Sequence, residues 1–149
     1  MVAEYRAGLD AELALLRQLD ALSVRQHHAS VGGDISDLPS IHDARDGVMV
    51  KLVAVEHELK PLRAALADHR QALQYSKEFQ KVATLHTEAA EMVARIIASD
   101  RQSVDALKEA EHARRMAAAA MEKGETTLQA YRRVIAPNSS NPALVNRRG

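Results

Sequence analysis

Hydrophobic positions near the start of the chain recur three or four residues apart. Tyr5, Leu9, Leu13, Leu16, Leu19 and Leu22 fall on one stripe, the spacing of a helix with a single buried face. A helix is therefore expected over 3–30, stopped by Gly32-Gly33, of which the first suits a left-handed cap. Asp34-Ile35-Ser36-Asp37 restarts the chain, with Ser36 or Asp37 capping a second helix whose first turn tolerates Pro39, where a missing N–H costs least. That helix is expected over 38–73, with Ile41, Val48, Leu52, Val55, Leu59, Leu62 and Leu66 as its apolar stripe. Gly47 weakens it by about 1 kcal/mol relative to Ala. Pro61 should kink it without ending it, because the stripe continues with Leu62, Leu66 and Leu73.

Neither Gly nor Pro occurs from Leu62 to Lys123, yet a single helix from Leu62 to Ile135 would be roughly 110 Å long. A turn is expected within Asp68–Lys77, where polar residues cluster and the apolar spacing slips. A third helix should then occupy 78–135, carrying Phe79, Val82, Leu85, Met92, Val93, Ile96, Ile97, Val104 and Leu107 before its last turns. Pro137 ends it, and 137–149, rich in Asn, Ser and Arg, reads as a disordered tail. The expected fold is all-α: one domain over 1–136, an elongated antiparallel helical bundle or coiled coil of three long helices.

Three helices of these lengths span roughly 42, 54 and 85 Å at 1.5 Å per residue, so the first two cannot cover the third. Its C-terminal end, about Arg114 to Ile135, should project with Met116, Met121, Leu128, Tyr131, Val134 and Ile135 uncovered. A stripe of that kind points to a partner, either an amphipathic helix of another protein or a second copy forming a homodimer. Its two methionines suit an adaptable surface.

Composition narrows the function classes. Among 149 residues there are 3 Tyr, 1 Phe and no Trp, which argues against a strand-rich fold. Lys+Arg and Asp+Glu balance at 20 each, leaving no global field to draw the chain onto nucleic acid or an anionic membrane. The absence of Cys removes disulfides, thiolate nucleophiles and Cys-ligated metals, and fits a cytoplasmic protein. Neither a signal peptide nor a membrane span is expected, since the longest apolar run is Met116–Met121. The Glu109…His112 pair has the helical spacing of a di-iron ligand pair, but no second copy accompanies it, so neither metal nor cofactor is expected. No Gly-rich phosphate loop or nucleophile–base arrangement is present, and catalysis is not expected.

Several segments together resemble the flagellar type III export chaperones of the FlgN/FliT kind. They are Leu13-Ala14-Leu15-Leu16-Arg17-Gln18-Leu19, then Gly33-Asp34-Ile35 with Leu38, Ala44-Arg45-Asp46 with Val48, and Leu52…Glu56…Leu59-Lys60-Pro61-Leu62-Arg63. In the second half they are Ser99-Asp100-Arg101-Gln102-Ser103…Leu107, Glu122-Lys123-Gly124-Glu125 and Leu128-Gln129-Ala130-Tyr131-Arg132. Asp100 and the Gly124…Tyr131 stretch are closer to the FliT side. The resemblance implies a non-enzymatic cytoplasmic chaperone. Such a protein binds the helical terminus of a hook–filament junction or cap protein, prevents its premature assembly and delivers it to the export gate. In that family the client site lies on the C-terminal helix and the region of the Tyr is linked to gate docking. The alternative is a structural coiled-coil protein forming a homodimer through the same helix.

Overall fold

A computed structural model describes residues 1–140, and the side chains of 1–135. It is all-α, with no strand among the described residues. Four helices follow one another: α1 (Val2–Gly32), α2 (Leu38–Asp68), the short α3 (Arg70–Leu73) and α4 (Lys77–Ser140). The turn expected within Asp68–Lys77 is there, with α3 as a single helical turn inside it, so the second helix ends at Asp68 and not at 73. The left-handed cap falls on Gly33, at φ 77°, one residue later than expected, because Gly32 still closes the last turn. Asp37 is the N-cap of α2, but its side chain makes no capping bond. Asp34 shapes the link instead, its Oδ1 accepting from the Ser36 N–H at 3.1 Å and from Ser36 Oγ at 2.6 Å. Helix α4 runs beyond Ile135 through Pro137 to Ser140, while 141–149 of the expected tail lie outside the described residues.

The chain divides into two compact units, Met1–Leu107 and Lys108–Gly149. In the first unit, Tyr5, Leu9, Leu59, Leu66 and Val82 form one apolar cluster, and Leu16, Leu19, Val48 and Ile96 form another. Each draws on α1, α2 and α4. Every residue of the stripe read for α1 as far as Leu19 is buried. On α4 only one of each adjacent apolar pair can face inward: Ile96 is buried and Ile97 exposed, and Met92 packs against the second cluster while Val93 is exposed. Val104, expected on the same stripe, is exposed as well.

Beyond Leu19 the stripe of α1 continues in phase but turns polar, with Ser23, Gln26 and Ser30 all buried. Arg45 of α2 and Asp100 of α4 meet there. The guanidinium Nη2 donates to Asp100 Oδ2 at 2.7 Å, and Nη1 to Asp100 Oδ1 at 2.9 Å and to Ser23 Oγ at 2.5 Å. Ser23 Oγ and Gln26 Nε2 donate to the same Oδ1, at 3.1 and 3.4 Å. The two charges are 17% and 31% exposed, so the pair is partly desolvated and its geometry is bidentate. Ser30 and Ser103 satisfy their buried hydroxyls locally, on the carbonyls of Gln26 and Ser99.

At the other end of α1, Gly8 lets α2 approach closely: a Cβ there would run into the side chain of Leu59, which is 1% exposed. Replacing Gly8 by Val is expected to cost about 1–3 kcal/mol, the range for overfilling a packed core. Asp100→Ala leaves Arg45 without its partner and is expected to cost about 2 kcal/mol. Urea denaturation measures both, and midpoints equal to that of the unaltered protein would contradict the packing described.

Candidate functional site

The second unit differs from the first in one respect that bears on function. Every residue from His112 to Ile135 is exposed. Met116, Met121, Leu128, Tyr131, Val134 and Ile135, the six residues singled out by sequence, range from 46% exposed (Ile135) to 74% (Met121). At about 100° per residue they fall within an arc of about 140°, so helical geometry puts all six on one side. Met121, Leu128 and Ile135 recur every seven residues along one edge, Met116 and Val134 mark the other, and Tyr131 lies between. Ala113, Ala117, Ala120 and Gly124 occupy the middle of the arc. Arg115, Glu122 and Arg133 lie on the opposite side, and Glu111 flanks the arc beyond the edge that carries Met121.

Outside its own helical turn, no described residue comes within 4 Å of where a Cβ on Gly124 would be. It leaves an open hollow between Met121 and Leu128, bordered by Glu125, Gln129 and Arg132. The helix is supported by its own surface pairs. Glu111 contacts Arg114 and accepts from Arg115 Nε at 3.0 Å, and Gln129 donates to Glu125 at 3.3 Å. An apolar arc with a small-residue centre can receive a helix of matching relief.

A second constellation, which sequence reasoning missed, lies within the first unit. Tyr5 of α1 is 1% exposed, and its hydroxyl lies 2.8 Å from His86 Nε2 on α4. Arg63 of α2 donates from Nε to the same hydroxyl at 3.1 Å and forms two further bonds to Glu56, at 2.6 and 2.9 Å. The Tyr5 hydroxyl accepts from Arg63 and keeps its own proton to donate to His86 Nε2 when that nitrogen carries none. Burial and the nearby Arg63 charge hold His86 below the ordinary histidine range, against a smaller opposing pull from Glu56. The hydrogen bonds from Arg63 hold Glu56 below the usual carboxylate range. Burial, and then the Glu56 charge, push Glu12 up. A cleft of about 380 Å³ beside this chain is lined by Leu66, Phe79 and Val82 together with Tyr5, Arg63 and His86. The phase of the α1 stripe marked Tyr5 as buried, but its polar partners lie 58 and 81 residues away and leave no local signal.

No group of three His, Cys, Asp or Glu converges as a metal site among the described residues. His27 is half-buried with its Nδ1 unpartnered, and His28 beside it is exposed. No described helix is long and apolar enough to cross a membrane. Fold and surface thus define an all-α protein whose C-terminal helix carries an exposed apolar face. Compared with protein-family models, curated proteins and solved structures, the chain matches none.

The depressed pKa of His86 has a definite sign. The unfolded chain takes up the proton near pH 6.5 and the folded one only at lower pH, so stability is full above about 6.5 and falls as pH drops toward the folded pKa. The groups facing His86 are Tyr5 from α1 and Arg63 and Glu56 from α2. His86→Gln keeps an acceptor for Tyr5 and removes the titration. Its unfolding free energy is expected to vary less between pH 7.5 and 5.5, an interval that brackets the unperturbed histidine value. Equal slopes for the two proteins in denaturant titrations would exclude this role.

Proposed function

We propose that this chain is a non-enzymatic helical chaperone that captures an amphipathic helix of a client protein on the exposed face of its C-terminal helix. The observation that carries the reading is the run of exposed residues from His112 to Ile135, with Met121, Leu128 and Tyr131 on one side of it. Large exposed apolar side chains gathered on one face gain most from a matching apolar partner. The resemblance to flagellar export chaperones supplies the biological setting. There the client is the helical terminus of a hook–filament junction or cap protein, held back from premature assembly in the cytoplasm and handed to the export gate, with Tyr131 in the stretch linked to gate docking. On this reading the first unit is a three-helix bundle that serves as scaffold, and the second presents the client surface.

Calorimetry with the full-length protein and synthetic peptides of such helical termini tests the proposal. A stoichiometric complex is expected, weakened at least about tenfold, roughly 1.4 kcal/mol, by Met121→Asp combined with Leu128→Asp. Circular dichroism should show the helical content of the double variant unchanged. Equal affinity in the two proteins, or no complex with any such peptide, would reject the reading.

A further inference from the structure

The exposed face of the second unit is complementary to itself. Arg114, Ala117, Met121, Gly124, Leu128 and Tyr131 follow one another at alternating steps of three and four residues, the spacing of a two-stranded coiled-coil seam. Along that seam Met121 and Leu128 are large, and Ala117 and Gly124 are small. Laid antiparallel about a midpoint between Glu122 and Lys123, two copies set Met121 opposite Gly124 and Leu128 opposite Ala117. Each pairing occurs twice by the two-fold axis. Met121 of one copy then faces the open hollow over Gly124 of the other. At each end Arg114 meets the ring of Tyr131, a favourable cation–aromatic contact.

Charge selects this register. Beside the seam, Glu111 of one copy comes level with Arg132 of the other, and Ala118 with Glu125. Sliding by one heptad in either direction sets Glu125 against Glu125 or Glu111 against Glu125. A parallel pair sets Arg114 against Arg114 and leaves Gly124 facing Gly124, a like-charge layer and an empty one.

We propose that two copies of this chain pair antiparallel through residues 114–131, and that this pairing covers Met121, Leu128 and Tyr131 of the client face until a client displaces the second copy. The pairing stands without the client reading, and only its masking role rests on it.

Light scattering on the full-length protein over a dilution series tests the pairing. The expected mass is twice 16.3 kDa at high concentration, falling to 16.3 kDa on dilution. Gly124→Leu fills the hollow and is expected to give monomer throughout. Because no described residue outside its own helical turn lies near that position and Gly is the poorer helix former, its helical content should be kept or raised. Moving the large side chain across the seam, with Met121→Ala and Gly124→Met together, should restore the dimer. The chain has no Cys, so orientation can be read by oxidation. A mixture of Met121→Cys and Gly124→Cys proteins should form the mixed disulfide, the sulfurs joining with loss of two electrons and two protons to an added oxidant such as oxidised glutathione. A monomer at every concentration, or disulfides formed by each variant with itself in preference to the mixed species, would overturn the pairing. A monomer that still binds client peptide leaves the chaperone reading standing. A dimer that client peptide does not dissociate removes the masking role.

Discussion

A guanidinium on α2 and a carboxylate on α4 can form two parallel hydrogen bonds only if both helices hold one rotation and one height. In this protein Ser23 of α1 joins them, accepting from Arg45 and donating to Asp100. The apolar clusters set no comparable demand, because Leu on Leu tolerates small shifts in register while a bidentate ion pair does not. Partial burial sharpens this further: a slipped helix would leave two charges short of both partner and water. The Arg45–Asp100 pair therefore fixes which face of each helix meets the others, and the apolar contacts supply the greater part of the stabilisation once the faces are chosen.

The chain Glu56–Arg63–Tyr5–His86 does the same at the other end of α1, and the two polar links bracket the apolar clusters. Contacts from Gly8 to Leu59 and from Ser23 to Arg45 run in opposite chain directions, so α1 and α2 are antiparallel. Those from Tyr5 to His86 and from Ser23 to Asp100 run in the same direction, so α4 of the first unit lies parallel to α1. The exposed pairs Arg6–Glu78 and Arg95–Asp20 follow the second alignment but contribute little, because water screens them. Specificity in this unit comes from partly buried polar groups and bulk stability from leucine.

Periodicity revealed the helices and most of their buried faces, because a 3.6-residue repeat of leucine has one reading over so long a stretch. It misjudged adjacent apolar pairs such as Ile96 and Ile97, since one helix face cannot bury both. It was silent on Ser23, Gln26 and Ser30, although these continue the phase of Leu16 and Leu19 and a polar residue in phase is itself a signal of a buried network. Arg45 and Asp100 lie 55 residues apart, and a contact at that distance leaves no local pattern. The exposed face on α4 was legible for the opposite reason: it depends only on helical spacing within one segment, which local sequence determines.

Alanine and glycine act differently in that segment. Ala117–Ala120 are all exposed, and alanine's high helix propensity sustains a helix that buries nothing there. Gly124 works against this by about 1 kcal/mol. Glycine is usually required by a left-handed backbone or by a close neighbour, and neither applies: among described glycines only Gly33 has positive φ, and outside its own turn of helix no described residue comes within 4 Å of where a Cβ on Gly124 would be. Gly32 and Gly47 have equally open surroundings, and Gly124 is distinguished by lying between Met121 and Leu128 on an apolar arc. Nothing among the described residues accounts for a glycine at that point, and the pairing proposed above supplies a close approach from outside. In that proposed pairing, the side chain that fits the gap is the Met121 of a second copy.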